Sequence, residues 1–291
     1  MSTLRVGFVG LGAMGASMAG HLHRLGLLVA VANRTHEKAL RFADNHAGVQ
    51  AFADAGDLTV HCDVVVSCVT ADSDVLGLAE ALAKNARPGF VLVDTSTIAS
   101  TSAQRAADPL RAVGADFIDA PVSGGVEGAK NGKLSVMAGG DPETLTRARP
   151  AIDAFAAKIT RMGDVGAGQN TKAVNQVIVA GIAQAVCEGL ALGDALGLDP
   201  ELLLPTLGAG AAANWFMDKR GATMLRDEFA VGFKLQLLHK DLNIVRELAI
   251  AAGVNHDIVD LSLANYATLM AEGRGDDDTS GLIRLKRAAR S

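Results

Sequence analysis

The chain has 291 residues, 49% of them apolar and 20% charged, with a net charge of −5 at pH 7. This length exceeds one small core and fits two domains, and the composition is that of a packed globular protein. The acidic balance, with no Lys/Arg block, argues against nucleic acid or an anionic membrane as a partner.

Short apolar runs alternate with helical stretches through the first half. Strands are expected over 4–10, 27–33, 63–69 and 90–96, with helices over 14–25, 37–46, 74–83 and 101–113. A strand lies within "ADFIDAPVSGG" (115–125) and another over 134–140, followed by a helix over 142–155 and a strand over 158–163. Continuous Val/Ile/Leu runs separated by helices predict a largely parallel sheet covered on both faces. The pattern changes at Gly166. Residues 169–196 stay small and apolar without proline, which predicts one long buried helix. Its most apolar stretch, 177–186, contains Gln184 and is short of a membrane span. Helices over 200–208, 214–225, 233–252 and 256–272 follow, then a polar, acidic loop (273–281) and a short tail. The expected architecture is an α/β domain over 1–164 and an all-α domain over 165–291, joined by the long helix.

Three scattered cysteines, Cys62, Cys68 and Cys187, argue against a disulfide framework and fit a reducing cytoplasm. The seven histidines form no HExxH and no Cys/His cluster, so no metal is expected. His21 and His23, two apart, fall on different helix faces and read as ordinary helix residues. The first residues lack the basic segment and long apolar run of a signal peptide.

"VGFVGLGAMGASMAGHL" sets Gly10, Gly12 and Gly15 in GxGxxG spacing, with Leu11, Ala13 and Met14 between them. A strand precedes the motif and a helix follows it, the context of a dinucleotide-binding Rossmann domain. Gly10 permits the tight turn, Gly12 the approach of a pyrophosphate, and Gly15 close helix–strand packing, while the helix N-terminus offers N–H groups to phosphate. At the end of the second strand an NAD-selective domain carries a carboxylate for the ribose hydroxyls. Here "VAVANRT" supplies Asn33, Arg34 and Thr35. A guanidinium matches a 2′-phosphate, and Asn33 and Thr35 add neutral hydrogen bonds, so NADP(H) is expected over NAD(H).

Five blocks in order along nearly the whole chain, "GFVGLGAMGASMA", "DTSTIAS" (94–100), "DAPVSGG" (119–125), "GAGQNTKAVNQV" (166–177) and "LLHKDLNIV" (237–245), closely resemble the β-hydroxyacid dehydrogenase family. That family includes 3-hydroxyisobutyrate dehydrogenases and tartronate semialdehyde and glyoxylate/succinic semialdehyde reductases. The resemblance implies reversible hydride transfer between NADP(H) and a small 3-hydroxy acid or semialdehyde. It assigns Lys172, expected on the first turn of the long helix, as general acid/base. A lysine on an apolar helix is expensive unless it is paired or functional. Asn175 shares its face and would orient substrate or lysine. Gly124 and Gly125 let backbone N–H groups converge on an anion and Ser123 adds a hydroxyl, and the family uses this segment for the substrate carboxylate. Thr97 resembles the residue that contacts the nicotinamide-side ribose, and Lys240 a lysine that reaches the cofactor, with Asp241 as its local partner or a structural anchor.

Two departures stand out. Many members carry Leu-Pro where this chain has Val69-Thr70, a change that a backbone contact to cofactor can survive. In "GAGAAANWFMDKRG" (208–221), Trp215 and Phe216 read first as core aromatics and second as walls of the substrate pocket. The family usually forms homodimers or homotetramers through its helical domain. Imine reductases share the glycine motif and the NRT corner but generally lack the lysine. A non-catalytic dehydrogenase-like protein would have lost it, and 6-phosphogluconate dehydrogenase has a much longer helical domain.

Overall fold

The computed structural model describes residues 4–287. The chain forms two compact units, one up to Lys172 and one from Ala173. In chain order the first contains β1 (Val6–Val9), α1 (Gly15–Arg24), β2 (Leu28–Ala32), α2 (His36–Asp44), β3 (Gln50–Phe52), a 3-10 turn (Ala55–Val60), β4 (Val64–Ser67), α3 (Asp72–Ala83), β5 (Val91–Asp94), α4 (Ser100–Arg111), β6 (Asp116–Asp119), β7 (Val122–Ser123), α5 (Gly125–Asn131), β8 (Leu134–Gly139), α6 (Pro142–Asp153) and β9 (Ala156–Gly163). The strands run in the order β3-β2-β1-β4-β5-β6-β8-β7, with β9 paired to β8. The six strands from β3 to β6 are mutually parallel, in the order of a Rossmann sheet. β8 is antiparallel to both β6 and β7 and parallel to β9.

Burial on both faces accounts for the unbroken valine runs. Val6, Phe8, Val64, Val66, Val91 and Val93 join one cluster with Met18 and Leu22 of α1 and Ile152 of α6. Their neighbours Val9, Val65 and Leu92 point the other way, into a cluster with Val75, Leu78 and Leu82 of α3 and Leu110 of α4. Each fully buried side chain of this size contributes about 1.5–3 kcal/mol, which leaves no place for a polar residue mid-strand.

The structure departs from the sequence reading in a few elements. β3 is an edge strand of three residues, too short for a hydrophobic period. The strand expected within 115–125 breaks into β6 and β7 around Pro121, which has no N–H to give a ladder. The chain then turns into α5, which was not foreseen.

The long helix α7 (Ala167–Ala195) begins in the first unit and continues in the second, followed by α8 (Pro200–Gly208), α9 (Trp215–Leu225), α10 (Leu235–Ala252), α11 (Asp257–Ala271) and α12 (Ile283–Arg287). Ala180, Ala183, Cys187 and Leu190 of α7 pack with Leu238 and Leu242 of α10 and Leu263, Tyr266 and Leu269 of α11. By length and apolar composition α7 does reach the dimensions of a membrane span, contrary to the reading of its apolar stretch. Gln184 nevertheless donates to Ser262 and accepts from Asn265, each at 3.2 Å, as expected of a helix packed in protein.

The acidic loop is not a solvated connector. The buried Asp278 accepts from the Gly232 and Phe233 N–H groups and from the Ser280 hydroxyl, with Arg220 at 3.4 Å. A 3-10 turn (Thr279–Leu282) and α12 follow directly. One buried carboxylate therefore fastens the start of this 3-10 turn to the segment ahead of α10.

Candidate active site

The three motif glycines answer to different demands. Gly10 has φ +95°, and a Cβ there would run into the Cys68 carbonyl. A Cβ on Gly15 would collide with the Gly10 carbonyl oxygen. The fold therefore requires both. A Cβ on Gly12 would meet no atom within 4 Å, and Gly12 and Ala13 are exposed. Nothing within 4 Å in the protein calls for glycine at that point, which leaves room for a ligand to approach the backbone. No side chain caps the N-terminus of α1; the Ala16 N–H donates to the Gly12 carbonyl at 3.0 Å, and the positive end of the helix faces the loop as a place for phosphate oxygens. The corner thus fits a dinucleotide pyrophosphate.

Asn33 ties this loop to β2. Its side-chain oxygen accepts the Leu11 N–H at 2.8 Å and its amide donates to the Thr35 carbonyl at 2.9 Å. Both ends of the amide are engaged in shaping the turn. Arg34 is different: its side chain is 87% exposed, with a loose 3.7 Å contact to Asp74. Thr35 is the uncapped N-cap residue of α2. The next residue, His36, was not singled out from the sequence, and its Nδ1 is buried without a hydrogen-bond partner. Met14 is half-buried and Leu11 buried.

A second group of residues gathers where α7 begins. Lys172 lies on the second turn of α7, because the helix starts at Ala167, two residues earlier than expected. Its side chain is buried, and its Nζ donates to the Val122 carbonyl at 3.0 Å. The next residue is Ser123, at the end of β7, followed by Gly124 and Gly125 with φ of +130° and +61°. Only glycine adopts this pair of conformations without strain. The Lys172 amino group is thus joined by one hydrogen bond to the residue that precedes the Ser123-Gly124-Gly125 turn.

Buried polar residues hold this turn. Asp119 accepts the Gly166 N–H at 2.8 Å and the Gln169 N–H at 2.9 Å, which anchors the start of α7. Burial pushes its carboxyl up to about 7, against the pull of those two donors, with Asp94 adding to the rise. Asp94 in turn accepts from the Ser67 and Ser96 hydroxyls at 2.7 and 2.6 Å. Thr97 is half-buried in the loop that follows. The Val69 N–H donates to the Ser96 hydroxyl at 2.9 Å, so it serves the fold, and Thr70 is exposed.

The remaining predicted residues lie in the second unit. Asn175 donates to Gln176, Gln176 donates to Asp241 at 2.7 Å, and Lys240 pairs with Asp241 at 3.1 Å. Asp241 is both the partner of Lys240 and a structural anchor. Of the two aromatics, only Phe216 meets the core reading. Phe216 is buried in the helical core, whereas Trp215 is 53% exposed, with the Arg220 guanidinium 5.9 Å from its ring. Sequence reasoning missed the supporting polar residues Asp119, Gln169 and Gln176. They lie inside the blocks 119–125 and 166–177, but their roles left no signal beyond polarity amid small apolar neighbours, and their partners are remote in sequence.

Comparison with known proteins bears on this arrangement. The family model for the NAD binding domain of 6-phosphogluconate dehydrogenase matches residues 5–163, and that for the NAD-binding domain of NADP-dependent 3-hydroxyisobutyrate dehydrogenase matches residues 166–286. The chain is 34% identical to an NAD-dependent L-serine dehydrogenase of Pseudomonas aeruginosa, covering 97% of each protein. It is 32% identical to the 2-hydroxy-3-oxopropionate reductase of Escherichia coli, over 97% of this chain and 96% of that one. Among solved structures, the Mycobacterium tuberculosis 3-hydroxyisobutyrate dehydrogenase with L-serine superimposes with a TM-score of 0.88 at 29% identity, covering both chains fully.

Proposed function

The chain belongs to the β-hydroxyacid dehydrogenase family of NAD(P)-dependent oxidoreductases that act on CH–OH groups, and on that premise we propose that it interconverts a small 3-hydroxy acid and its semialdehyde with a preference for NADP(H). One observation carries the reading: the buried Lys172 amino group is hydrogen-bonded to Val122, beside the Ser123-Gly124-Gly125 turn. A carboxylate on that turn sets the substrate's β-carbon oxygen within range of a proton donor. Reduction leaves charge on that oxygen, and Lys172 protonates it; oxidation runs the same transfer backward. The bound nicotinamide supplies or takes up the hydride. A 3-hydroxyisobutyrate-like acid, bearing one carboxylate and one hydroxyl, matches these two groups.

The NADP(H) preference rests on Arg34. Its exposed guanidinium stands where a carboxylate would select NAD, and two parallel N–H donors suit a 2′-phosphate. The NAD-dependence named for the Pseudomonas aeruginosa relative makes this a point to measure. Exposed Val174, Ile178, Ile258 and Leu261 in the second unit support a homo-oligomer, and the three free cysteines support a cytoplasmic setting.

The test is a panel of 3-hydroxyisobutyrate, L-serine and further small 3-hydroxy acids, each with NADP+ and NAD+, followed by reduced-cofactor absorbance. Lys172→Ala should lower kcat at least about 10²-fold while the protein still binds NADPH. Near wild-type turnover in that variant would overturn the role of Lys172. Turnover on imines and on no carboxylate would turn the reading toward an imine reductase.

A further inference from the structure

The buried side chain of Gln169 faces the loop that carries Thr97. Its Nε2 donates to the Ser96 carbonyl at 2.8 Å, and its Oε1 accepts the Ile98 N–H at 3.2 Å. These are the two backbone groups on either side of Thr97. One primary amide satisfies both, as a neighbouring β-strand would. The backbone N–H of the same residue is held by Asp119, and Lys172 follows three positions later on the same helix. A single residue therefore touches the loop of Thr97 with its side chain and sets the turn of Lys172 with its backbone.

We propose that Gln169 is a positioning residue, which fixes the spacing between the Thr97 loop and the Lys172 turn so that the proton donor meets the oxygen, and the nicotinamide-side contacts the carbon, of one substrate carbonyl. The inference rests on the dehydrogenase reading above and adds to it a residue that never touches the reacting atoms. The amide is needed for its chemistry as well as its length. It must accept on one side and donate on the other, and only a neutral amide or a protonated carboxylic acid of that length does both. Alanine leaves the Ile98 N–H and the Ser96 carbonyl buried without this partner. An ionised Glu turns an oxygen toward the Ser96 carbonyl and repels it.

Two variants test this against the wild type. In Gln169→Ala, kcat should fall about 10- to 100-fold, the scale of a reacting group displaced by about 1 Å, with KM for 3-hydroxyisobutyrate or L-serine within about threefold. Amide hydrogen exchange of the segment 94–100 in the cofactor-free protein should quicken, and the quickening should centre on Ile98. Gln169→Glu is nearly isosteric and guards against misfolding. Protonated, it restores both hydrogen bonds; ionised, it breaks one. Its kcat relative to wild type at each pH should therefore drop about tenfold as pH rises, and Ile98 exchange should quicken over the same range. Asp119, Asp94 and Lys172 face this region and are present in both proteins, so the ratio isolates position 169. Wild-type kcat in both variants, or a Gln169→Glu to wild-type ratio flat with pH, would overturn the proposal. Lys172→Ala run in parallel separates the failures. An inactive Lys172 variant beside unaffected Gln169 variants defeats this inference alone, whereas a fully active Lys172 variant defeats the underlying reading.

Discussion

The glycine corner and the turn that holds Lys172 belong to the same unit and are built on opposite principles. The corner at Gly10–Gly15 and Asn33–Thr35 is open: Gly12, Ala13 and Arg34 face solvent, and its internal bonds join neighbours across one βαβ step. The turn at Lys172 is closed: Asp119, Gln169 and Lys172 are all buried and are satisfied by partners 47 to 73 positions away in sequence. An exposed corner leaves its hydrogen-bonding groups for a ligand and tolerates change at little cost to the fold. A closed turn spends its polar groups on holding one another, so function and stability there are coupled.

That contrast can be broken most sharply at Asp119. Its folded-state carboxyl holds a proton up to about 7, whereas the unfolded chain releases it near the ordinary value of about 4. The folded state binds more protons between those values, so stability should fall as pH rises from about 4 to about 7 and be level above. About three pKa units correspond to at most about 4 kcal/mol. Urea midpoints across this window should show the slope in wild type and a much flatter line in Asp119→Asn. Equal slopes would mean that Asp119 ionises freely and the closed turn is not as closed as described.

The glycines sharpen the comparison within the corner itself. Gly15→Ala must push the Gly10 carbonyl aside and should cost about 3 kcal/mol, read as a lowered Tm. Gly12→Ala should change stability by less than about 0.5 kcal/mol and yet raise KM for the cofactor about tenfold, because only the ligand needs that space. If both variants lost the same stability, Gly12 would be a packing residue after all. At Arg34 the effect is expected to fall on cofactor choice alone. Arg34→Ala should leave Tm unchanged and lower the NADPH-to-NADH ratio of kcat/KM about tenfold, roughly 1.4 kcal/mol. A wild type that favours NADH would remove the premise.

Much of the fold was readable in advance because its causes are local or periodic. Strands covered on both faces show as continuous valine runs, and glycine spacing marks a turn that only glycine can make. The glycine motif, Arg34 and the two-part architecture of sheet followed by helices were visible on those grounds. β3 escaped because three edge residues carry no period, and α5 because nothing before Gly125 marks a helix start apart from the glycines of the turn. Trp215 and Phe216 could not be told apart, since adjacent positions of one helix differ only in what lies opposite them.

By itself the sequence determined the fold class, the dinucleotide corner and the presence of one lysine on a helix that has little use for charge. Only the tertiary structure decided how that lysine is held. That Asp119, at the end of a strand, also anchors a helix, and that Gln169 clasps the residues flanking Thr97 where it could have been solvated, depends on partners far along the chain. A buried hydrogen bond leaves no periodic trace in the residues that make it. Its partners are chosen by the packing of the sheet and of α7, and that choice exists only once the chain has folded.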